Sequence, residues 1–442
     1  MTHLCVHEWG RVPVGEGGFS RAQANQLLAA ARAHPCGGNE GTAILSDHHK
    51  HLTARQVVGV LAAKGCSLEI LPKVDPAGAK ENEQTVRQRL IAMLDIALGL
   101  NLSSGAAAQL ARQKKTLLDI LIRLFADQLL DEVRRGLPRR YIECEDELPA
   151  LRGRLNVLRQ FTRNAVRADR LACRYDALEA DTPLLRIMKA TVVFISRHAR
   201  TAETQRRLTE LRHLLDEVTD LSPAQLPWDR VRLDRSNRRW RSLFELAKLF
   251  LKRDWQATHH RAGADEGITL LFPMNDLFES YIAALLRRAL AGSDLEVVAQ
   301  GGLKYCLGDW QAEAPCEAHL FQTRPDILLR RAGKIVAVID TKWKAVAEPF
   351  EGKGGISQAD VYQLMAYARV YDCSELMLLY PSTPGGQVGV RRIFGMAGGW
   401  EQLSIAMVDL GADRVSLAAD LGDLCHPPDY KRRDVSRSPA TA

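Results

Sequence analysis

The chain has 442 residues, of which 46% are hydrophobic and 26% are charged, and its formal net charge is +7. This length suffices for two or three domains with buried cores, and the composition excludes a chain that is disordered throughout. No apolar stretch approaches the ~20 residues of a membrane span, and residues 1–11 do not form a secretory signal. We therefore expect a cytoplasmic protein whose mildly basic balance suits an anionic partner.

Two common kinds of site are missing from the sequence. The nine cysteines are scattered, without a CxxC pair or a zinc-type Cys/His spacing, so we expect reduced thiols and no iron–sulfur cluster. No GxxxxGK[ST] phosphate loop is present either. Any nucleotide-driven step must then come from another chain.

The first two thirds of the chain divide into two predicted regions. Residues 1–79 predict an α+β module, with strand-like segments at 4–14 and 67–72 and helical segments at 22–33 and 53–64. Residues 80–265 predict a mainly helical region, because apolar residues recur at spacings of three and four. Its predicted helices lie at 81–100, 115–135, 181–200, 201–218 and 236–255, and a basic, strand-like insert occupies 139–175.

The last third predicts a separate domain at residues 266–425. A Gly-containing break at 262–267 precedes it, and helices at 275–290 and 358–371 alternate with short strands. The tail at 426–442 is rich in Pro, Ser and charge, which predicts disorder. The expected fold class is therefore α+β or α/β with several domains.

The residues that indicate chemistry lie between 323 and 344. Two apolar runs, at 327–329 and 335–339, flank a polar turn and predict an antiparallel hairpin. Asp326 enters the first strand and Asp340 leaves the second. Because side chains alternate along a strand, Asp340 and Lys342 share one face. The sequence thus predicts two carboxylates and a lysine at one sheet edge, although an exposed strand-end ion pair of Asp340 with Lys342 is an alternative.

Such a cluster suits Mg²⁺, which prefers oxygen ligands and is commonly held by one or two carboxylates. Asp326 and Asp340 would be the ligands, together with the backbone carbonyl of Thr341. Lys342 could orient or deprotonate an attacking water and offset charge on a phosphate. The implied reaction is hydrolysis of a DNA phosphodiester.

Pro325-Asp326 followed by Asp340-Thr341-Lys342 resembles the pattern of the PD-(D/E)xK nuclease superfamily. The resemblance implies a restriction-endonuclease-like domain at 266–425. It also implies that Glu279, on the helix before the sheet, supplies a further acidic metal ligand. An exposed helix glutamate is the alternative for Glu279.

Gln363 and Tyr367 lie four residues apart on one predicted helical face and match the QxxxY extension of several nucleases in this superfamily. The resemblance implies that they belong to the active site. Ordinary helix packing, with the tyrosine hydroxyl in water, is the alternative. Trp343 and Lys344 are interpreted as flanking packing and a solvated charge rather than as DNA contacts.

A wider resemblance covers most of the chain. Seven segments carry it: ILPK at 70–73, RGRLN at 152–156, YDALEADTPLLRIMK at 175–189, NDLFESY at 275–281, TRPDILL at 323–329, VIDTKWK at 338–344 and DVYQLMAYA at 360–368. In order and spacing they resemble the McrC family, the nuclease subunit of McrBC-type modification-dependent restriction systems. The first 65 residues match less clearly, and the HHKH stretch at 48–51 is interpreted as an exposed loop rather than a metal site.

The McrC resemblance implies a partner, a McrB-like AAA+ GTPase hexamer that binds GTP, recognises modified cytosine and translocates double-stranded DNA. This chain would dock through its N-terminal and middle regions, stimulate GTP hydrolysis and cut DNA with its last domain. The arginine-rich segment 139–174 could then contact DNA phosphates or the partner's nucleotide sites. A solvated basic surface is the interpretation we favour for most of its residues.

Two other functions stay open at this point. One is a non-cleaving activator or adaptor of the AAA+ ring, against which the complete Asp-Asp-Lys set argues. The other is a stand-alone DNA nuclease of the QxxxY type that acts on DNA ends. Such enzymes often carry an iron–sulfur cluster, for which the cysteines here show no ligand pattern.

Overall fold

The protein is described by a computed structural model that covers residues 2–38, 42–73, 82–100, 116–167, 169–235, 237–251, 268–310, 316–344, 356–382 and 386–425. The predicted break at 262–267 and the predicted disordered tail at 426–442 lie outside these residues. Within them the chain folds into helices and several sheets, in agreement with the expected mixed α and β multidomain class. None of the described helices combines the length and the apolar character that crossing a membrane requires.

The N-terminal module consists of two small sheets and one helix. Its elements are β1 (Thr2–His7), β2 (Arg11–Pro13), α1 (Arg21–Ala33), β3 (Leu45–Asp47), β4 (His51–Ala54), β5 (Val57–Ala63) and β6 (Cys66–Leu71). Strand β1 pairs in parallel with β6, which pairs antiparallel with β5, while β2, β4 and β3 form a separate antiparallel sheet. Ser20 caps α1 in a reciprocal arrangement with Gln23, which explains where this helix begins.

The helix predicted at 53–64 is wrong. The segment forms the end of β4 and all of β5, and every residue of β5 is buried. A strand that is buried on both faces has a continuous apolar sequence without alternation, so its periodicity cannot separate it from a buried helix. The valines at 57, 58 and 60 were the available signal, because β-branched residues favour strands.

The predicted helical middle region begins with two helices and continues into the insert. These elements are α2 (Glu83–Ala97), α3 (Leu117–Arg135), β7 (Arg140–Leu148), β8 (Arg154–Leu155), α4 (Val157–Thr162) and β9 (Leu171–Glu179). Strand β9 pairs antiparallel with both β7 and β8, so the strand character predicted for the insert is confirmed. Glu145 binds both Arg174 and Arg159 through ion pairs, whereas Leu158 and Phe161 are exposed.

Three further helices complete the middle region: α5 (Pro183–Ser196), α6 (Ala202–Leu214) and α7 (Arg241–Leu251). The segment 175–189, one of those that resemble the McrC family, has a structural explanation here. Thr182 caps α5, Asp181 binds Arg186 at 2.7 Å, and the buried Lys189 donates a hydrogen bond to the carbonyl of Val218 at 2.6 Å. These side chains fix the start of α5 and the loop that follows α6. Short 3₁₀ turns lie at Pro35–Gly37, Pro223–Gln225, Trp228–Arg230 and Arg238–Trp240.

Strand β10 (Leu270–Pro273) belongs by position to the predicted last domain, yet it pairs antiparallel with β5 at the edge of the N-terminal sheet. Gly59 makes this pairing possible. Its φ is +125°, and a Cβ atom at this position would lie 1.9 Å from the carbonyl oxygen of Leu270. The start of the last third of the chain is therefore continuous with the N-terminal module.

The rest of the last third is built around a six-stranded sheet of order β11-β14-β15-β16-β18-β17. Its elements are α8 (Met274–Ala289), β11 (Leu295–Ala299), β12 (Tyr305–Leu307), β13 (Leu320–Gln322), β14 (Ile327–Arg331), β15 (Lys334–Thr341), α9 (Gln358–Tyr371), β16 (Glu375–Pro381), β17 (Gly389–Gly395), β18 (Gln402–Val408) and α10 (Arg414–Cys425). Strands β15, β16 and β18 are parallel, whereas β11, β14 and β17 run antiparallel to their neighbours. Strands β12 and β13 form a separate hairpin.

The hairpin predicted from the two apolar runs is confirmed as β14 and β15. Ala332 and Gly333 both have positive φ, at 47° and 82°, as a two-residue hairpin turn of type I′ requires. Both faces of this hairpin are buried. Ile327 and Ile339 join the central core that includes α8, whereas Leu328 and Val338 join a second core with α9. The alternation along β15 therefore directs Asp340 to the α9 face.

We expect Gly59→Ala to destabilise the protein by at least about 2 kcal/mol, because the new methyl group combines strain at positive φ with a collision against strand β10. Gly65→Ala is the matched control, since Gly65 has φ +74° but a methyl group added there would meet no atom within 4 Å, and it should cost only about 1 kcal/mol. Urea unfolding followed by circular dichroism measures both. Equal losses of stability would contradict the close approach of β10.

Candidate active site

Asp326 and Asp340 are brought together by the pairing of β14 with β15. Ile327 pairs with Ile339, so Asp326 comes opposite Asp340 one position further along. The Asp326 carboxylate accepts hydrogen bonds from the backbone amide of Thr341 at 2.8 Å and from its hydroxyl at 2.9 Å. Thr341 thus holds the first carboxylate beside the second.

The Asp340 side chain is completely buried. Its Oδ2 lies 2.6 Å from the Lys342 Nζ, and its Oδ1 has no hydrogen-bond partner among the described residues. The alternative of an exposed strand-end ion pair does not fit this burial. An unpaired oxygen on a buried carboxylate is costly, and such atoms commonly have a ligand or a functional role.

The pKa values reflect this crowding of charge. Burial and the neighbouring Asp326 raise the pKa of Asp340 to about 6. Burial also raises the pKa of Asp326, although the two hydrogen bonds from Thr341 oppose that shift. Burial alone would lower the pKa of Lys342, but the two carboxylates outweigh it and raise this pKa. Two carboxylates that face each other with one cation attract a further cation.

The donor atoms fit a hard divalent cation such as Mg²⁺, since they are carboxylate oxygens and one of them is unpaired. In the part of the chain that the structure describes, no group of three or more His, Cys, Asp or Glu side chains has an arrangement that could hold a metal ion. Asp326 and Asp340, with the Thr341 main-chain carbonyl, stay the predicted ligands of such an ion.

Glu279 lies on α8 beside this cluster, half-buried rather than exposed. Burial, and then the charge of Asp326, raise the pKa of Glu279 to about 7, while a hydrogen bond with Gln300 opposes the shift. Glu279 is therefore electrostatically coupled to Asp326. It does not form a three-carboxylate metal group with Asp326 and Asp340.

Gln363 and Tyr367 of α9 connect to the lysine through hydrogen bonds. The Lys342 Nζ donates to the Gln363 Oε1 at 3.5 Å, and the Gln363 Nε2 donates to the Tyr367 hydroxyl at 2.8 Å. That hydroxyl, which is buried, donates to the carbonyl of Arg324 at 3.2 Å. The chain of bonds runs from the lysine to the loop before Asp326, so these two residues do more than pack α9.

Two residues near the cluster were not predicted from the sequence. Asp360 lies 4.0 Å from Lys342 and 2.7 Å from the Lys344 Nζ, so Lys344 is paired rather than freely solvated. Asp360 stands one helical turn before Gln363, and this spacing was the available signal. Gln300 donates its backbone amide to the carbonyl of Asp326 at 2.9 Å. No sequence signal identifies it, because only the pairing of β11 with β14 brings it close.

Trp343, directly after the lysine, is packed as predicted, and it contacts distant parts of the chain. Its indole Nε1 donates to the Glu8 Oε2 at 2.9 Å. Its backbone amide donates to the Asn275 Oδ1 at 3.3 Å, and its carbonyl accepts from the Gln56 Nε2 at 3.1 Å. The N-terminal module therefore contacts the residue next to Lys342.

The remaining predicted features lie away from this cluster. His48, His49 and Lys50 are exposed in the turn between β3 and β4, and the rings of His48 and His51 stack at 4.8 Å. The exposed loop predicted for 48–51 is therefore found at 48–50, whereas His51 begins β4 and is half-buried. All nine cysteines are free, as expected, and Cys316 is the exposed one.

Fold and site together define a multidomain protein that carries an Asp-Asp-Lys cluster, with Asp340 buried, on a six-stranded mixed sheet. A family model described as "McrBC 5-methylcytosine restriction system component" matches residues 52–381, and the chain belongs to this family. The McrBC-type family predicted from the sequence is thereby confirmed.

Two solved structures from Thermococcus gammatolerans are similar to this chain. The first is a refined half-complex from a tetradecameric assembly of McrB AAA+ hexamers with bound McrC, at a TM-score of 0.73 and 21% identity over 96% of this chain and 99% of that chain. The second is the cryo-EM structure of the McrBC complex, at a TM-score of 0.56 and 26% identity over 66% of this chain and 88% of that chain. A comparison with curated proteins returned no match.

We expect Glu8→Gln to change how stability depends on pH. Burial raises the pKa of Glu8 from 4.5 to about 7. The folded protein then binds this proton more tightly than the unfolded chain, so the contribution of Glu8 to wild-type stability falls as pH rises from 4.5 through about 7. Glutamine stays neutral, and the variant should gain about 3 kcal/mol relative to wild type between pH 4 and pH 8.

Urea unfolding at a series of pH values measures this difference. Glu16→Gln is the matched control, because Glu16 is exposed in the same module and its replacement should leave the pH profile unchanged. Parallel profiles for wild type and Glu8→Gln would contradict the buried, proton-binding state of Glu8.

Proposed function

We propose that this protein is the DNA-cleaving subunit of a modification-dependent restriction system, and that it hydrolyses phosphodiesters of double-stranded DNA with Mg²⁺. Membership of the McrBC family supports the kind of system. The observation that carries the cleavage is the buried Asp340, which has an unpaired oxygen and lies 2.6 Å from the Lys342 amine. The mixed sheet around the PD and DTK segments supports a domain of the PD-(D/E)xK type.

The residues of the cluster have distinct roles in this proposal. Asp326 and Asp340, with the Thr341 carbonyl, would hold Mg²⁺, which when bound polarises the scissile phosphodiester and lowers the pKa of a coordinated water. Lys342 donates hydrogen bonds to the attacking water or to a phosphate oxygen and offsets the negative charge that develops there. Gln363 restrains the Lys342 amine from the side of α9.

We further propose that the protein works in the cytoplasm with an AAA+ GTPase hexamer. One of the structures to which the chain is similar contains McrB AAA+ hexamers with bound McrC, and the sequence has no phosphate loop of its own. The partner would supply the GTP site, recognition of modified cytosine and DNA translocation. This chain would dock through its N-terminal and middle regions and stimulate GTP hydrolysis.

The arginines of the basic insert at 139–174 include residues paired with acidic side chains and residues with exposed side chains. Several of its arginines are satisfied by acidic neighbours, as Arg174 is by Glu143 and Glu145. This pairing favours a solvated surface for those residues. Arg154 and Arg163 are exposed, and contact of such residues with DNA phosphates or with the partner stays a prediction.

We expect Asp340→Ala and Asp326→Ala to lower cleavage at least about a hundredfold, because each removes a metal ligand. Both variants should still stimulate GTP hydrolysis, because docking is proposed for the N-terminal and middle regions. Asp423→Ala is the matched control, because Asp423 is exposed on α10, and it should cut as wild type does. The measurement is cleavage of methylated and unmethylated plasmid with Mg²⁺, GTP and a McrB-type AAA+ protein.

The same experiment separates the competing functions. Cleavage by Asp340→Ala at the wild-type rate would refute the assigned site. Stimulated GTP hydrolysis without cleavage by the wild type would identify a non-cleaving activator of the ring. Cleavage of DNA ends by this chain alone would identify a stand-alone nuclease.

We expect chelation by EDTA to abolish cleavage and added Mg²⁺ to restore it. Glu279→Gln should raise the Mg²⁺ concentration needed for half-maximal cleavage about tenfold, because the negative charge next to Asp326 is lost. Glu317→Gln, at an exposed position, is the matched control. An unchanged Mg²⁺ requirement in Glu279→Gln would exclude Glu279 from the metal site.

A further inference from the structure

The residue after the proposed catalytic lysine is held by side chains that are remote in sequence. The three polar groups of Trp343 are bonded by Glu8, Gln56 and Asn275, which precede it by 335, 287 and 68 residues. We call Glu8, Gln56, Asn275, Phe278 and Trp343 the Trp343 junction. Two of its five members belong to the N-terminal module, and two belong to α8, which follows β10 of the same sheet.

The junction is closely packed. Trp343 is 5% exposed and Glu8 is 1% exposed. The indole meets the ring of Phe278 edge to face at 5.4 Å. The Glu8 Oε2 that accepts from the indole also accepts from the backbone amide of Lys73 at 3.0 Å, which fixes the carboxylate between the ends of β1 and β6. The position of Trp343 is therefore set by the N-terminal sheet.

This position determines where Lys342 stands. Strand β15 ends at Thr341, and the Lys342 backbone amide still donates to the carbonyl of Leu379 at 3.0 Å. At the next residue, Trp343, the main chain is no longer bonded to a neighbouring strand. Its amide and carbonyl instead bond the side chains of Asn275 and Gln56. Because the lysine side chain is long and flexible, the placement of its Nζ 2.6 Å from Asp340 depends on a main chain that is fixed on both sides.

Stability alone does not account for the chemistry of the junction. The Glu8 Oε1 is buried without a hydrogen-bond partner among the described residues, and burying a carboxylate in this way costs stability relative to an apolar contact. The carboxylate and the two amide side chains do fix an orientation. Their three hydrogen bonds hold both the indole ring and the peptide groups of Trp343. Such directional bonds are suited to positioning.

We propose that the N-terminal module positions Lys342 for DNA cleavage through the Trp343 junction, with Glu8, Gln56 and Asn275 as positioning residues. The proposal rests on the function proposed above for Lys342. It means that the module assigned to partner docking also completes the geometry of the cleavage site. Displacement of this module would slow cleavage without any change in the residues that touch the DNA.

The test uses Trp343→Phe, which keeps a packed ring but loses the indole donor, and Gln56→Ala, which leaves Trp343 and Glu8 unchanged. Each is assayed as the full chain with the AAA+ protein, GTP, Mg²⁺ and methylated plasmid. We expect the maximal cleavage rate to fall at least about tenfold in both variants. The DNA concentration for half-maximal rate, the stimulation of GTP hydrolysis and the melting temperature should stay near the wild-type values. Trp400→Phe is the matched control, because Trp400 is 96% exposed in the same third of the chain, and it should behave as wild type.

Wild-type maximal rates in folded Trp343→Phe and Gln56→Ala would overturn the positioning role and leave the proposed function intact. Rates that fall in step with GTP hydrolysis and melting temperature in both variants would also overturn it, because a merely structural role moves all three together. Absence of cleavage by the wild type would instead refute the proposed function on which this inference depends. Gln56→Ala keeps the test decisive if Trp343→Phe fails to fold.

Discussion

The burial of Asp340 is the constraint on which the rest of the site depends. A carboxylate inside a sheet is tolerated only with compensating charge, and here one cation, Lys342, faces two carboxylates. Thr341 orients Asp326 through two hydrogen bonds, and Gln363 approaches Lys342 from α9. The register of one hairpin therefore places Asp326 opposite Asp340, and a slip of one residue would turn Asp340 to the opposite face.

The second organising feature is the continuity between the two ends of the chain. Strand β10 extends the N-terminal sheet, α8 follows it directly, and Trp343 returns to contact Glu8. Several segments that resemble the McrC family meet at this place, since they contain Lys73, Asn275 and Trp343. The segment at 175–189 instead organises the start of α5. Some of the segments that resemble the McrC family thus lie at the Trp343 junction, next to the candidate site. The segment at 175–189 lies elsewhere and shapes the start of a helix.

Local patterns predicted some elements well and others not at all. The hairpin of β14 and β15 was predictable because two apolar runs flank a turn with Gly333, and α9 was predictable from its helical spacing. Strand β5 was mistaken for a helix because burial on both faces removes the alternation that identifies a strand. Gln300 and Glu8 escaped prediction because their roles arise from strand pairing and from a contact across 335 residues.

The sequence by itself determined the candidate chemistry of this protein: which carboxylates and which lysine are available, that they share a hairpin, and the family to which the chain belongs. These are local properties, because a spacing of two on a strand or four on a helix sets which side chains share a face. The tertiary structure decided that Asp340 is fully buried, that Glu279 lies beside Asp326, and that the N-terminal module holds Trp343. Those outcomes depend on how distant strands and helices pack. Contacts between segments that are remote in sequence produce no periodic pattern from which they could be predicted.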